Sequence, residues 1–571
     1  NYIRLKTMSQ LSEQELVRRE KLKNLRALGI NPYPAPLFPV SHTSQQIKDN
    51  FSEKKQVIVA GRLMSRRIQG KASFAEIQDS TGRIQVYFNR DEICSGDDKS
   101  YYNDVYKKLL DIGDFIGVEG ELFTTQVGEQ TIMVKKFTLL SKSLKPLPLP
   151  KTDADGNKFD EFNDPEMRYR QRYADLVVNP KVKEVFIKRT KLFTAMRDFF
   201  NQSGYFEVET PILQSIPGGA AARPFQTHHN SLDIPMYMRI ACELYLKKLI
   251  VGGFDGVYEF AKTFRNEGMD RTHNPEFTMM EIYVAYKDYH WMMTMTEQLL
   301  EFCALEVTGS ATVNFKNHEI SFKAPYKKVT MTEAIKHFTG FDISGKSEDA
   351  IRAAAIDMGI EVDTTMGKGK LIDEIFGEKC ESNYIQPTFI TDYPKEMSPL
   401  TKEHRSNPEL TERFELIVCG KELANAYSEL NDPIDQRERF ENQVKLAGRG
   451  DDEATQFIDQ DFLRALEYGM PPTSGMGIGM DRLIMFLTDN ASIQEVLFFP
   501  QMKPEKKALK LSDNEKVIFE ILKSQNKMLL SDLKLQSELS NKAWDKGMKG
   551  LSKQGLTKVT KTDEALIVEL Q

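Results

Sequence analysis

The chain has 571 residues, of which 77 are lysine or arginine and 83 are aspartate or glutamate, so its formal net charge is -6. This length predicts several domains, and the charge excludes a surface that is basic throughout, so any nucleic-acid contact must be a local patch. A mean hydropathy of -0.45, with no apolar run of about 18 residues, argues against a membrane helix. The start of the sequence lacks the charged-then-apolar pattern of a secretion signal. An odd number of cysteines without a CxxC pair favours a reducing cytoplasm over a disulfide framework or a zinc knuckle.

Residues 1–55 are predicted as a helix and a lead-in. Leucines at near-helical spacing mark an amphipathic helix over residues 10–29, which Gly29 and the following Asn-Pro-Tyr-Pro end. A cluster of basic residues on this helix has two interpretations, a solvated face or a contact with an RNA backbone. The cluster consists of Arg18, Arg19, Lys21, Lys23 and Arg26.

Residues 56–142 alternate between apolar and polar side chains, as strands do. Five strands with a helix, Tyr101–Leu110, between the third and fourth are typical of the OB-fold, a small barrel that often binds single-stranded nucleic acid. The predicted strands are Val57–Met64, Ser73–Asp79, Arg83–Asn89, Phe115–Phe123 and Thr131–Leu140.

The rest of the chain divides into three parts, and the whole predicts an α+β fold. Prolines and polar residues mark a linker over 143–179. A large mixed domain follows over 180–505, with a helical insertion at about 330–385. Residues 506–571 show a helix at Asp513–Ser524, two more helical runs and two strand-like pieces. This last order is compatible with a winged-helix module or with an ordinary packing appendage.

Three segments of the large domain carry candidate chemistry. Phe199–Leu213 is predicted as a helix running into a strand that ends at Pro211. Phe264–Tyr283 is two strands around a charged loop that suits phosphate binding; by strand alternation, its Phe277, Glu281 and Tyr283 share one face. Gly475–Leu487 is a glycine-rich strand running into a helix, where glycines allow a flat ligand to approach the backbone.

In this order the three segments resemble motifs 1, 2 and 3 of class II aminoacyl-tRNA synthetases. Four further stretches resemble the lysyl-tRNA synthetase subgroup, and the likeness runs from about residue 11 to 503. One departure is Cys242, which stands where the family usually has proline; no functional effect is expected. The four stretches are Ile216–Asn230, Arg239–Phe254, Thr391–Leu400 and Arg413–Pro433.

The resemblance implies an antiparallel catalytic sheet preceded by an OB anticodon-binding domain, and a homodimer with Pro211 at the contact. It implies that lysine attacks the α-phosphate of ATP and that the lysyl group then passes to tRNA(Lys). Arg265 would bind the α-phosphate and the lysine carboxylate, and Phe277 and Arg482 would sandwich the adenine. The catalytic residues would be Arg265, Glu267 and Arg482, with further nucleotide contacts from His273 and Asn274.

Glu415 and Glu422 resemble the family's magnesium ligands. A tight turn at Cys419–Gly420 would pair the flanking strands and put both carboxylates on one face. Strict alternation would then turn Asn425, Tyr427 and Glu429 to the opposite face, although the family needs all five around one site. The sequence therefore predicts a bulge between Glu422 and Asn425.

The amino-acid pocket implied by the resemblance is acidic, as a doubly cationic substrate requires. The carbonyl of Gly219 and the Glu243 side chain would bind the α-amino group. Glu281, Tyr283 and Glu429 would surround the ε-amino group. The complete implied lysine site is Gly219, Glu243, Arg265, Glu281, Tyr283, Asn425, Tyr427, Glu429 and Gly477.

In the OB domain the resemblance assigns anticodon contacts. Phe74 would stack on an anticodon base, and Arg67 and Gln85 would read a uridine-rich anticodon. The alternative for Phe74 is a place in the barrel core.

Three other functions are weighed against this interpretation. A related aspartate or asparagine synthetase is disfavoured by the acidic pocket. A free-standing paralogue that modifies a protein would lack the OB domain. A nucleic-acid-binding protein with an inactive synthetase domain is disfavoured by intact Arg265, Glu267, Glu415, Glu422 and Arg482.

Overall fold

The computed structural model describes residues 11–152, 158–159, 161–220, 222–448, 458–504, 511–561 and 565–570. They fall into two compact units, which divide after Gln501. Among the described helices, none combines the length and the apolar character needed to cross a membrane.

A closed five-stranded barrel forms the first part of the larger unit. Its strand order is β1-β2-β3-β5-β4, and a wide π-type helix at Tyr101–Leu109 follows β3, so the predicted OB-fold is confirmed. Apolar residues alternate along each strand and fill the barrel because successive side chains of a strand point to opposite faces. The strands are β1 Gln56–Gln69, β2 Ala72–Gln78, β3 Arg83–Asn89, β4 Phe115–Thr124 and β5 Gln130–Ser141, after helices α1 Glu13–Ala27 and α2 Ser44–Asp49; a short α3, Arg90–Ile93, follows β3.

Helix α1 packs on the barrel through part of its basic cluster. A capping box joins Ser12 and Glu15 at its start. Arg18 is buried and donates hydrogen bonds to the carbonyl oxygens of Ile112 at 2.9 Å and Ser143 at 3.1 Å. Lys21 pairs with Asp111 at 2.6 Å. Two of the five basic residues therefore hold the helix in place, and a uniformly solvated face is the wrong description of the cluster.

The segment predicted as a linker contains two short helices that are tied to the catalytic part of the unit. Arg168 on α4 makes a two-pronged ion pair with Glu495, at 3.0 and 2.9 Å. Arg172 on α5 is fully buried and pairs with Asp175 at 2.5 Å. The elements are β6 Lys151–Thr152, β7 Lys158–Phe159, α4 Pro165–Arg170 and α5 Arg172–Val178.

An eight-stranded sheet is the centre of the catalytic part. Its order is β16-β17-β20-β21-β22-β13-β12-β8, and most neighbours are antiparallel. Helices α6 and α8 cover one face and form the main core with it. The strands of this sheet are β8 Phe206–Glu207, β12 Gly256–Phe264, β13 Glu276–Ala285, β16 Lys327–Thr330, β17 Thr388–Thr391, β20 Arg413–Val418, β21 Lys421–Ser428 and β22 Thr473–Gly479.

The strand expected to end at Pro211 is shorter than predicted. It pairs only over Phe206–Glu207, because proline cannot donate a ladder hydrogen bond. The chain then joins a separate sheet of order β10-β11-β9. That sheet and two outlying hairpins consist of β9 Leu213–Gln214, β10 Gln226–His229, β11 Ile234–Met238, β14 Thr312–Phe315, β15 His318–Ser321, β18 Glu403–His404 and β19 Asn407–Thr411.

The segment predicted as a helical insertion contains three helices. Its three helices enclose a small core of their own with residues of β17 and β20. The helices of the catalytic part are α6 Pro180–Gln202, α7 Glu243–Val251, α8 Tyr289–Thr308, the insertion helices α9 Met331–Thr339, α10 Glu348–Asp357 and α11 Lys368–Lys379, and then α12 Pro433–Gly448, α13 Gln460–Glu467, α14 Met480–Leu487 and α15 Ile493–Val496.

The smaller unit has its own core, centred on Ile518, Leu522, Trp544, Leu551 and Val568. Three helices and a sheet of order β23-β25-β24 surround it, including one three-residue strand that the sequence did not predict. The elements in chain order are α16 Asp513–Gln525, β23 Lys527–Leu529, α17 Leu530–Gln536, α18 Asn541–Lys553, β24 Thr557–Lys561 and β25 Leu566–Leu570.

Candidate active site

The open face of the catalytic sheet holds a cavity of about 680 Å³. A smaller cavity of about 190 Å³ adjoins it. Both are lined by Arg265, Met279, Glu422 and Gly477, so the two spaces meet at these residues. The larger cavity is lined by ten of the residues expected in the site: Gly219, Glu243, Arg265, Glu281, Tyr283, Glu415, Glu422, Asn425, Tyr427 and Gly477.

The alternation of β13 explains why core and site meet on one strand. Met280 and Ile282 point into the core beneath the sheet. Their neighbours Phe277, Glu281 and Tyr283 line the cavities on the other face. The predicted common face of these three residues is therefore confirmed.

A β-bulge in β21 brings the carboxylates and the polar strand residues to the same face. Cys419 and Gly420 both have positive φ, 50° and 63°, as the tight turn requires. Beyond the turn Ile417 pairs with Glu422, whereas Leu416 pairs with Ala424, so Leu423 is the extra residue. The predicted bulge is confirmed, and it leaves Glu422 and Asn425 on one face.

Three buried carboxylates, Glu243, Glu281 and Glu429, form what we call the acidic group. Their exposed fractions are 4%, 3% and 2%. The fully buried Lys247 ammonium pairs with Glu243 at 2.6 Å and also with Glu429. Three buried acids share one base, so the protein alone cannot pair all three in their charged forms, which favours a cationic ligand.

Burial also changes the ionisation of the acidic group. Desolvation, and then the Glu243 carboxylate, raise the pKa of Glu281 to about 7. Desolvation raises the pKa of Glu429 to about 8, although the Lys247 ammonium opposes it. A cation entering the pocket would favour the charged form of both acids.

Gly475 makes room for the acidic group. A Cβ atom at Gly475 would lie 2.3 Å from Glu429 Oε1 and from the Tyr283 ring, so a side chain there would displace both groups. Within the described residues Glu429 Oε1 has no hydrogen-bond partner although it is buried. A buried acceptor without a hydrogen bond costs free energy, so a hydrogen-bond donor of a ligand at this atom would be stabilising.

Glu415 and Glu422 lie at the other end of the larger cavity. Desolvation, and then the Glu422 carboxylate, raise the pKa of Glu415 to about 8 against the effect of Arg413. Arg413 donates to Glu415 at 2.6 Å and to Asn425 at 3.1 Å. Among the described residues no group of three or more acidic, histidine or cysteine side chains is arranged to hold a metal ion. A pair of carboxylates suits magnesium, which completes its shell with water and phosphate oxygens.

The smaller cavity has an aromatic and cationic lining. The Arg265 guanidinium lies 5.3 Å from the centre of the Phe277 ring, and Arg482 donates to the carbonyl oxygen of Glu422. A flat ligand between a phenyl ring and a guanidinium gains stacking on both faces. The cavity is lined by the remaining residues predicted to contact the nucleotide: Glu267, His273, Asn274, Phe277 and Arg482.

Comparison with known proteins decides the family of this site. A family model described as tRNA synthetases class II (D, K and N) matches residues 164–503, and one described as an OB-fold nucleic acid binding domain matches residues 57–140. The lysine–tRNA ligase of Christiangramia forsetii is 74% identical over 563 residues, 99% of each chain. The chain belongs to the lysine–tRNA ligase family.

Two further lysine–tRNA ligases differ in how much of each chain is matched. The Porphyromonas gingivalis W83 relative is 68% identical over 504 residues, 87% of both chains. The Azobacteroides pseudotrichonymphae relative is 63% identical over 499 residues, which are 87% of this chain but 99% of the relative. The second match shows that nearly the whole of a lysine–tRNA ligase corresponds to only part of this chain.

In this lysine–tRNA ligase family member, the outer face of the barrel carries the residues predicted to bind the anticodon. Phe74 is half-buried and points away from the core, since its neighbours Ser73 and Ala75 are the buried residues. It packs on Tyr87, with ring centres 4.8 Å apart, and Arg67 lies opposite it on β1. A core role for Phe74 is therefore the wrong interpretation.

The third predicted barrel residue is Gln85, whose side-chain amide donates to Thr131 at 2.8 Å. It pairs across the ladder with Glu76, two residues beyond Phe74 on the same strand. Phe74 and Gln85 therefore belong to the same outer face of the β2–β3 pair, as residues with an even spacing on paired strands do.

Several residues that line the cavity or pair with its acidic side chains were not predicted from the sequence. Lys247 stands four residues after Glu243 on α7, a spacing that places the two side chains together and could have indicated the pair. Arg413 alternates with Glu415 on β20 and shares its face. Lys368 and Lys370, at the start of insertion helix α11, also line the cavity, and only the packing of the insertion brings them there.

Cys242, the departure from the family pattern, contacts the acidic group. Its backbone N–H donates to Glu281 Oε1 at 3.3 Å, a donor that proline lacks. Tyr283 donates to the other oxygen of the same carboxylate, also at 3.3 Å. The absence of a functional effect remains a prediction.

Proposed function

We propose that the chain activates L-lysine with ATP and transfers the lysyl group to the 3′ end of tRNA(Lys). The observation that carries this proposal is the position of the acidic group: Glu243 and Glu281 line one end of a cavity whose other end opens to an aromatic and cationic space, and Glu429 is joined to Glu243 through Lys247. Lysine, with its two amino groups, can therefore lie in the larger cavity and the adenine of ATP in the smaller one, with Arg265 where the two cavities meet.

In the first step the lysine carboxylate attacks the α-phosphorus of ATP. The new bond joins a carboxylate oxygen to phosphorus, the bond to the β-phosphate oxygen breaks, and pyrophosphate leaves with the electron pair. Arg265 binds both the carboxylate and the α-phosphate, which brings the reacting atoms together and stabilises the developing charge. Glu267, His273 and Asn274 contact the nucleotide, and Phe277 and Arg482 hold the adenine.

The lysine site is proposed as the end of the cavity at the acidic group. Gly219 and Glu243 bind the α-amino group, and Glu281, Tyr283 and Glu429 surround the ε-amino group; Asn425, Tyr427 and Gly477 complete the walls. Glu243 is next to both regions, since Gly219 lies against its Cβ while Lys247 links its carboxylate to Glu429. An aspartate or asparagine substrate would bring no cation to the ε-amino position.

Magnesium is proposed at Glu415 and Glu422. Desolvation, and then the Glu422 carboxylate, raise the pKa of Glu415, and a divalent cation beside the two carboxylates would stabilise their charged forms. When bound, the ion would neutralise charge on the ATP phosphates. Arg413 donates hydrogen bonds to Glu415 and Asn425 and so holds the Glu415 carboxylate in position.

The tRNA anticodon is proposed to bind the outer face of the barrel. Phe74 stacks on one base, and Arg67 and Gln85 read base edges.

A homodimer is proposed through the region around Pro211, which is supported by exposed apolar side chains at Phe206, Ile212 and Leu213. A cytoplasmic location is supported by five cysteines that are free in the described structure.

The test is ATP–pyrophosphate exchange, measured with each of the twenty amino acids in turn. We expect exchange with lysine to exceed that with aspartate and asparagine by at least about 10³-fold, since a buried carboxylate left without its cation costs several kcal/mol. Preference for any other amino acid would contradict the proposal.

A further inference from the structure

Helix α18 of the smaller unit carries a one-sided stripe of lysines. Lys542, Lys546, Lys549 and Lys553 are spaced by four, three and four residues and all are exposed. At 3.6 residues per turn they fall within an arc of about 60°. The opposite side of the helix, with Trp544, Gly547 and Leu551, is buried in the core. We call these four residues the lysine stripe.

Little acidic charge within the described part of the smaller unit compensates the lysine stripe: the Glu515 carboxylate interacts electrostatically with Lys546, without an ion pair. Among the described residues none of its four members forms an ion pair, whereas Lys516 and Lys523 on α16 pair with Asp513 and Glu520. The one acidic residue exposed on the helix, Asp545, falls outside the 60° arc. Strand β24 packs against α18 and adds exposed lysines 558 and 561. A concentrated positive surface thus stands on a protein whose net charge is -6.

The order of elements gives this helix a particular place in the unit. The unit has the element order of a winged-helix module. This order is helix, strand, helix, helix and two strands, and the sheet order is β23-β25-β24. In helix-turn-helix proteins the helix at the position of α18 is the one that lies along the nucleic acid. Here that helix presents a row of lysines, and lysine is one of the side chains that most often contact phosphate oxygens, which favours contact with phosphates.

The chemistry of the surface favours a duplex over a single strand. Single-strand binding relies on exposed aromatic side chains that stack on bases, but Trp544 is buried and Phe519 is packed against the core. The stripe extends over about 16 Å of helix, a length over which a duplex presents several phosphates on each strand.

We propose that the lysine stripe binds the phosphate backbone of an RNA duplex, and that the RNA is a stem of the tRNA substrate. The identity of the RNA rests on the proposed function; the contact with duplex phosphates rests on the stripe alone.

The test uses the full chain with all four stripe lysines changed to glutamine. The matched control changes four exposed lysines elsewhere in the same unit, so both variants lose the same charge, and glutamine is close to lysine in helix propensity. Melting curves of both variants establish that the unit remains folded. The control set is Lys516, Lys523, Lys527 and Lys534.

Binding is measured from 50 to 200 mM salt with a tRNA(Lys) transcript, with a plain RNA hairpin that has no anticodon, and with a DNA duplex of the same length as the hairpin stem. The stripe variant is expected to bind both RNAs at least about tenfold more weakly at low salt, and the slope of log affinity against log salt to fall by about 2 to 4. The control is expected to change affinity by less than about threefold.

Equal losses in the two variants, no loss in the stripe variant, or tighter binding of a DNA duplex than of the RNA hairpin would overturn the proposal. Lysine-dependent ATP–pyrophosphate exchange requires no RNA and is measured in the same preparations. If the parent chain shows no exchange, the proposed function is refuted and the binding result is unaffected. If the stripe variant binds RNA as the parent chain does, only the inference about the lysine stripe is refuted.

Discussion

The acidic group and the outer face of the barrel are both proposed to bind substrate, but they do so in opposite environments. The acidic group consists of charges that are nearly inaccessible to water and share one internal cation. The barrel face presents Phe74 and Arg67 at the surface, where a solvated cation and a half-buried ring cost little to maintain. On the proposed assignments, selectivity for the amino acid would come from buried charge, whereas RNA recognition would be spread over contacts that are individually modest.

The largest effect is expected from Glu429→Gln. This change keeps the shape of the side chain but removes the charge that faces the lysine ε-amino group and leaves Lys247 with one partner. Lysine-dependent ATP–pyrophosphate exchange is expected to fall by about 10²- to 10⁴-fold, as breaking a buried charged pair costs about 3–5 kcal/mol. Glu306→Gln, the same chemical change at an exposed helix position, is the control, and near-normal exchange in Glu429→Gln would refute the pocket assignment.

Lys247→Met tests whether the internal cation is structural. It removes the ammonium between Glu243 and Glu429, so the free energy of unfolding of the larger unit is expected to fall by about 3–5 kcal/mol. Lys248→Met is the neighbouring control, because Lys248 pairs with the exposed Asp461 and should cost at most about 1 kcal/mol. Denaturant titration followed by Trp291 fluorescence measures both; similar losses in the two variants would contradict the distinction.

Phe74→Ala addresses the barrel face. Loss of one stacked base is expected to weaken tRNA(Lys) binding by about 1–3 kcal/mol, or about 5- to 150-fold, with unchanged lysine-dependent exchange. Phe115→Ala removes an exposed ring from another strand of the barrel and serves as the control. If both variants bind tRNA(Lys) as the parent does, Phe74 is not an anticodon contact.

The smallest effect is expected from pH. Because Glu281 and Glu429 have raised pKa values, of about 7 and 8, both are partly protonated near neutral pH. On the proposed assignment lysine favours their ionised forms, so its affinity should decrease by up to about tenfold as the pH falls from 8 to 7. Calorimetric titration measures this, and a dissociation constant that does not vary over this range would show that neither acid ionises on binding.

The sequence predicted the barrel well because each strand has one buried face, so that alternation marks both its position and its register. It also predicted the bulge in β21, since the proposed roles of Glu422 and Asn425 could not be met by a regular strand. These are local patterns, and the resemblance to a known family supplied the roles.

The unpredicted features depend on contacts between distant segments. Lys247 meets Glu429 across 182 positions of sequence, and no local pattern gives the distance between them. Arg18 resembles its solvated neighbours in sequence but is buried against loops of the barrel. Strand β23 has only three residues, which is too short for alternation to be detected.

The extra residue Leu423 has a consequence for how this gene can change in length. Asn425, Tyr427 and Ser428 all follow it on β21, with Glu429 immediately after. Deleting a single codon at this point would preserve nearly every amino acid yet turn the following side chains to the opposite face of the sheet. The lysine site would then be lost without any of its residues being substituted, so this strand tolerates replacement far better than it tolerates insertion or deletion.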